Sequence, residues 1–322
     1  MNSTPDPAAA LAGRSVIHQA TVAAAAETVF DTVANVQMWP QLFESDVHAE
    51  VLEQGHRHDV IRCWALAGAA SVRCRTSRRE IDRDGLRIGF EQVDVSPPLA
   101  ATGGEWIFKP VSDAQTHVEL RHTVRADGPA ASSQAAGHLT TRAEAQLAAV
   151  RHAAERADEL SQLVLSFEDP LFAAGSAEDA YQILYEADKW PERLEHVLSL
   201  TMTEDEPNVQ FFDMDTRTPD GAAHTTRSVR ICLPYREIVY KQVKLPVLLE
   251  AHTGHWRFTP TPEGVIVSAR HTVTIKPGAI PQVLGAGATV RDARRYLRKV
   301  LSANSMKNLQ LAKRFAEERA DG

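Results

Sequence analysis

The chain has 322 residues, 43% hydrophobic and 24% charged, with a formal net charge of −7. A single core rarely grows past ~250–300 residues, so this length sets an expectation of two domains. The acidic balance argues against a nucleic-acid partner, which needs a basic footprint, and no polybasic membrane patch is present.

The opening segment MNSTPDPAAALAGRSV has no basic start followed by a long apolar stretch, so no signal peptide is expected, and no later apolar run approaches the ~20 residues that span a bilayer. A strand is predicted over SVIHQATVA, then a short helix over AAAAETVFDTVANV that Trp39-Pro40 should end, because proline cannot continue a helix. Six runs with strand character follow (DVHAEVLEQ, HDVIRCWAL, ASVRCRTSRREI, LRIGFEQVDV, GGEWIFKPV and THVELRHTVRA), punctuated by Gly, Asp or Pro. A long helix, predicted from about His138 to Leu163, closes the half. The second half repeats the order: strand, helix (EDAYQILYEAD), strands, and a final helix from about Thr289 to Arg319.

The repetition extends to single residues. Trp39-Pro40 recurs as Trp190-Pro191, Ser77-x-Arg79 as Ser228-x-Arg230, Gly104-Glu105-Trp106 as Gly254-His255-Trp256, and Arg121-His122-Thr123-Val124 as Arg270-His271-Thr272-Val273. Four landmarks in one order and at nearly one spacing indicate duplication. The expected fold class is α+β, two tandem domains over 1–160 and 161–322, each a curved antiparallel sheet wrapped around its C-terminal helix. The second copy carries additional residues within IKPGAIPQVLGAGATV, readable as a lid over one pocket or as a surface insertion.

Cys63, Cys74 and Cys232 are odd in number and scattered, which fits free thiols in a reducing cytoplasm. No Cys/His cluster has metal-ligand spacing and no GxGxxG or P-loop occurs, so the chemistry is expected to need no metal and no other cofactor.

Three groups of residues could carry that chemistry. Alternation places Ser77 with Arg79, and Thr226 with Ser228 and Arg230, on one face of their strands. Such a face is either the wetted side of the sheet or a polar pocket wall. On the final helix, steps of three and four from Val290 bring Asn304 and Asn308 into an otherwise apolar stripe, and Arg142 and Gln146 hold the matching places in the first copy. Trp39, Trp106, Trp190 and Trp256 sit at repeat-related positions, as core residues or as the wall of a pocket for a flat ligand. Asp46, His48, Glu105, His196 and His255 are the remaining acid or base candidates.

The WPQLFE and WPERLE segments, the Ser-x-Arg strand, the GEW/GHW strand and the long final helix together resemble the di-domain aromatase/cyclases of type II aromatic polyketide biosynthesis. The resemblance covers about Arg14 to Glu318 and implies tandem helix-grip, START/Bet v 1-like domains. It implies a cofactor-free aldol cyclase and dehydratase whose substrate is a keto-reduced poly-β-ketone chain on an acyl carrier protein. Type II synthase components would be its partners. The resemblance maps the pocket arginine onto Arg79 and Arg230, the serine onto Ser77 and Ser228, and the tryptophan onto Trp39 and Trp190. Where single-domain members carry a tyrosine, Asp46 and Val197 stand here, which leaves the acid/base group open. His255 is taken as a catalytic candidate of the second copy, and Asp46, Arg142, Trp106, Trp256, Asn304 and Asn308 as substrate contacts. The same fold also serves carriers that bind without catalysis.

Overall fold

A computed structural model describes residues 11–97, 99–217 and 223–320. The leader reading concerns residues that lie largely outside this range. The chain divides into two compact units, one of Met1–Ala65 and Arg73–Ala157, the other of Leu66–Val72 and Asp158–Gly322.

In the first unit the strands are β1 (Leu11–Val22), β2 (Asp46–Gln54), β3 (His58–Leu66), β4 (Val72–Asp82), β5 (Arg87–Gln92), β6 (Leu99–Ser112) and β7 (Gln115–Asp127). They form one sheet in the order β1-β7-β6-β5-β4-β3-β2, a meander whose first strand returns to pair antiparallel with the last. The second unit repeats this with β8 (Val164–Ala173), β9 (Val197–Glu206), β10 (Val209–Arg217), β11 (Ala223–Leu233), β12 (Glu237–Lys244), β13 (Leu249–Thr261) and β14 (Gly264–Ile275), in the order β8-β14-β13-β12-β11-β10-β9.

The first unit's helices are α1 (Ala26–Ala34), α2 (Trp39–Leu42) and α3 (Gly128–Glu155); α4 (Ala157–Leu163) opens the second unit, whose further helices are α5 (Ala177–Tyr185), α6 (Trp190–Arg193), α7 (Ile280–Leu284) and α8 (Val290–Ala320). Two expectations change. Pro40 and Pro191 start a helical turn at its first positions, where a missing N–H costs nothing, instead of merely ending the helix before it. The long helix of the first half begins ten residues earlier than predicted, with proline again near its start, and breaks at Arg156. Its Ala-, Ser- and Gly-rich first turns gave no apolar period to read.

Each unit buries one sheet face against its last helix. Ala143, Leu147, Val150 and Ala154 of α3 follow steps of three and four and join Phe30, Ile88, Trp106, Phe108 and Leu120 in one apolar cluster. Along α8 the buried stripe runs through Ala293, Leu297, Ser305, Asn308, Leu309, Ala312 and Ala316. The residues beyond the repeat fold into a single turn at Pro277–Ala279 and the helix α7. Ala279 and Ile280 pack with Leu163, Leu248, Leu249, Val273, Ile275 and Leu297, so the segment is anchored to the core at these two residues while Pro281, Gln282, Val283 and the glycine turn after them are exposed. Among the described residues no helix is long and apolar enough to cross a membrane.

Candidate active site

The second unit has two apolar clusters, and a polar layer lies between them. One cluster holds Trp190, Trp256, Ala269 and Leu309; the other holds Leu249, Val273, Ile275 and Leu297. Along β14 the change from one to the other falls at His271, and along α8 it falls at Ser305 and Asn308, all buried. Polar groups this deep must be satisfied or face something that satisfies them. Register identifies what they face. Gln210, Arg230, Tyr240, Gly254, His271 and Phe167 lie side by side on successive strands. Phe212, Ser228 and Gln242 form the adjoining row, with His252 opposite Val273. The Ser-x-Arg face is therefore the inner face, and Arg230 is fully buried.

Arg230 is held on three sides. Its Nε donates to Gln210 Oε1 at 3.0 Å, and one Nη2 hydrogen reaches the same oxygen. Nη1 donates to Leu184 O at 2.9 Å and Nη2 to Tyr185 O at 2.7 Å, the last carbonyls of α5, which have no partner within the helix. Its charge lies over Trp190 (5.3 Å) and Phe212 (5.5 Å). These bonds leave one Nη1 hydrogen unused. Arg79 repeats the arrangement with Val33 O, Ala34 O and the Trp39 ring, but its side partner is the carboxylate of Asp59, 2.8 Å from Nε and 2.6 Å from Nη2. The first unit's cation is thus neutralised in place. The second unit's cation is bonded to a neutral amide, and the nearest carboxylate, Glu204, sits behind Gln210 at 2.8 Å.

Beside Arg230 stands a group that the sequence reading did not select. Tyr240 Oη lies 2.8 Å from His271 Nδ1 and 3.4 Å from His252 Nε2; the two imidazoles approach to 3.1 Å, and His252 Nδ1 lies 2.9 Å from Gln242 Oε1. Gly254 makes room for it: a Cβ there would fall 2.4 Å from Tyr240 Oη and 2.2 Å from Arg270 O. Burial pushes His271 down to about 4 and His252 well below its ordinary value, and raises the Tyr240 phenol, so all three are neutral near pH 7. In the first unit the matching places are Phe90, Thr102 and His122, with Gly104 beneath Phe90. His122 and His271 are the histidines of the repeated Arg-His-Thr-Val motif. That motif served as a landmark of duplication, and its histidine was the available signal.

Several buried polar atoms of the second unit have no hydrogen-bond partner among the described residues: Trp190 Nε1, Trp256 Nε1, Thr226 Oγ1, His271 Nε2 and Asn308 Oδ1. Trp190 belongs to α6, Asn308 to α8 and the others to the inner face. Trp190 and Trp256 meet edge to face at 5.9 Å, and Trp256 lies 5.0 Å from Tyr240, giving an aromatic wall continuous with the histidines. Ser228 is buried in the same layer; Asn304 is only half-buried, at its edge. In the first unit Trp39 is half-buried and its indole donates to Val33 O, while Trp106 is packed among Ile88, Phe108 and Leu120. Ser77 lies opposite Gln92. Cys63 gathers several candidates around it: burial raises its thiol to about 12, Asp46 adds to that rise, and Arg142 and Arg79 oppose it.

Two candidates fall on the wrong side. His255 alternates with Trp256 and so projects from the outer face, where its Nδ1 lies 3.1 Å from Glu237. Glu105 holds the same outer position in the first unit, paired with Arg87 at 3.0 Å. Neither reaches the polar layer. Of the other acid or base candidates, His196 is half-buried beside Lys307 and held low, first by burial, and His48 lies tilted against Trp64 with ring centroids 5.3 Å apart.

Models of a family described as polyketide cyclase/dehydrase and lipid transport match residues 14–155 and 174–296. The bifunctional cyclase/dehydratase of the actinorhodin polyketide synthase of Streptomyces coelicolor is 42% identical over 92% of this chain and 95% of its own. Among solved structures, the di-domain ARO/CYC StfQ of the steffimycin pathway superposes with a TM-score of 0.85 at 52% identity, covering 95% of this chain and 100% of that one. BexL, the di-domain ARO/CYC of the BE-7585A pathway, gives 0.84 at 40% identity, covering 94% and 99%.

Proposed function

The chain belongs to the polyketide cyclase/dehydrase family in its di-domain aromatase/cyclase form, and on that premise we propose that it closes and aromatises the first ring of a keto-reduced poly-β-ketone chain. The substrate arrives on an acyl carrier protein of a type II synthase, in the cytoplasm, and the two domains are taken as 1–160 and 161–322. The reaction is an intramolecular aldol condensation followed by loss of water and enolisation. Its demands are orientation of two distant carbons, proton transfer at carbon and at the leaving hydroxyl, and stabilisation of the oxygen that becomes anionic.

The observation that carries this reading is the pairing of Arg230 with the Tyr240–His271–His252 group on one buried wall. A fully buried guanidinium bonded only to neutral acceptors has charge to spare for a developing enolate or alkoxide, in surroundings where that charge is weakly screened. Ser228 supplies a hydroxyl one row away. Neutral imidazole is the form that accepts a proton from carbon. Trp190, Trp256 and Asn308 offer the flat apolar surface and polar contacts that fold the chain, with Asn304 at the rim. The first unit presents the weaker counterpart, Arg79 with Ser77 and His122 beside Trp39, Trp106, Asp46 and Arg142. The second unit is accordingly assigned the main chemistry, and His255 drops out of it.

The test is Arg230→Met, which keeps the packing over Trp190, assayed in a synthase reconstituted with its ketoreductase. The expected result is a loss of normal first-ring product of about 10²-fold or more in a chain that is still folded by circular dichroism but has a lower urea midpoint, because Leu184 O and Tyr185 O lose their donor. A smaller loss of product is expected for Arg79→Met. Normal product at full yield from Arg230→Met overturns the assignment. A carrier that only binds would release its chain unchanged in either case.

A further inference from the structure

We infer that Gln242, His252 and Tyr240 are positioning residues that fix His271 as the tautomer bearing its proton on Nδ1, so that Nε2 faces the polar layer as a bare lone pair. The inference rests on the function proposed above and assigns the proton-accepting atom within it.

Hydrogen counting leads there. The four side chains form a line of close polar contacts, from Gln242 Oε1 to His252 Nδ1 (2.9 Å), His252 Nε2 to His271 Nδ1 (3.1 Å), and Tyr240 Oη to both His271 Nδ1 (2.8 Å) and His252 Nε2 (3.4 Å). A carbonyl oxygen can only accept, so His252 carries its proton on Nδ1, and its Nε2 is an acceptor. That acceptor is buried and needs a donor. If His271 Nδ1 were also bare, two lone pairs would confront each other at 3.1 Å. The single phenolic hydrogen could satisfy only one of them, leaving a buried nitrogen unmet at a cost of about 1–3 kcal/mol. With the hydrogen on His271 Nδ1 every contact along the line pairs a donor with an acceptor: Nδ1–H donates to His252 Nε2 or to Tyr240 Oη, and the phenol donates onward to His252. The remaining nitrogen, His271 Nε2, is buried and has no partner among the described residues.

The other groups around His271 leave that nitrogen alone. Asp169 on β8 is engaged by both terminal nitrogens of Arg298 on α8, at 2.7 and 2.6 Å, and Phe167 presents a ring at 5.3 Å. Gly254 and Phe167 are its neighbours along the row, and Tyr240 stands between Gly254 and Arg230. The first unit lacks the device. Phe90 and Thr102 replace Tyr240 and His252, and His122 Nδ1 has no hydrogen-bond partner among the described residues. In the reaction, Nε2 takes a proton from the carbon between two carbonyls and leaves the electron pair as the enolate. The enolate carbon bonds to the distant carbonyl, whose oxygen becomes an alkoxide and takes that proton back from Nε2–H. Nε2 then removes the second hydrogen of the same carbon and passes it to the departing hydroxyl, which leaves as water as the double bond forms, so no outside acid or base is consumed.

The experiment is a long-range 1H–15N correlation on the full chain labelled with 15N-histidine at pH 7, with His271 assigned by its absence in His271→Gln. The expected spectrum has Nδ1 of His271 protonated and Nε2 unprotonated. His252→Leu and the milder Gln242→Leu, which removes only the far end of the line, should each move His271 toward the Nε2–H form, and His252→Leu should lower kcat by about 10²-fold with KM little changed. An Nε2–H tautomer in the unsubstituted chain, as a reversed Gln242 amide would produce, overturns the inference. So does a His271 spectrum that neither substitution moves. The tautomer is read without substrate, so it can stand even if the chain proves to be a carrier, in which case only the kinetic effect would vanish.

Discussion

The two pocket arginines show how one residue type does different work according to a single neighbour. Arg79 and Asp59 form an ion pair that is 3% exposed on both sides. Taking both ions from water is costly, and the pair offsets that cost only while it is complete. Asp59→Ala strands the guanidinium and should cost the first unit about 3–5 kcal/mol, read as a lower urea midpoint of its transition. A loss below 1 kcal/mol would mean that the carbonyls of Val33 and Ala34 carry the cation unaided. At this scale the sequence was partly legible. Period-two alternation put Ser77 with Arg79 and Ser228 with Arg230, and the repeat marked them as a set. What it could not show was the partner across the sheet, because Asp59 and Gln210 lie 20 residues from their arginines and pairing between strands leaves no local pattern. His255 failed for a related reason: it stands beside Trp256, and adjacent residues on a strand point to opposite faces.

Among the elements, the strand–helix–strand order was readable because each run kept its period. The boundaries that shifted lie where propensity and period disagree, as in the early turns of α3. The segment around α7 was the least legible, since Pro and Gly punctuation suggests a loop while the residues between them are apolar. The structure resolves this through packing: Ile280 is only 4% exposed and belongs to the cluster with Leu249, Val273 and Leu297. Gly285 and Gly287, at φ of 94° and 88°, turn the chain back toward α8 in a conformation that favours glycine. Ile280→Ala should therefore destabilise the second unit by about 2–5 kcal/mol, measured by denaturant unfolding. A change within about 0.5 kcal/mol, the usual cost at an unremarkable surface position, would show that α7 rests loosely on the core.

Across the whole molecule, buried imidazoles dominate the response to acid. Burial holds His122, His255 and His271 at about 4, against an ordinary value of 6.5, and His252 lower still. Unfolding frees these rings, so between the two values the unfolded chain binds more protons. Each histidine therefore contributes stability that is complete above about pH 6.5 and is lost as pH falls toward 4, at up to about 1.4 kcal/mol per pH unit. The thermal midpoint should be level from pH 8 to 7 and fall steeply from 6.5 to 4. Glu119, drawn down to about 2 by hydrogen bonds from Lys109 and Arg121, adds a further decline below pH 4.5. A midpoint that stays flat to pH 5 would mean that these rings are wet. The doubled architecture was plain in the sequence, whereas the depth of these histidines was not, since polar residues in strands read equally as surface.

The tie between Arg230 and the end of α5 has one more consequence. The guanidinium acts as a pin reaching from the inner face of the sheet into the last turn of the helix. Unwinding that turn would strand a cation in oily surroundings, and withdrawing the cation would bare two carbonyls. The second unit therefore has no half-open form in which its inner wall is exposed while the helix stays seated; wall and helix must come apart in the same event.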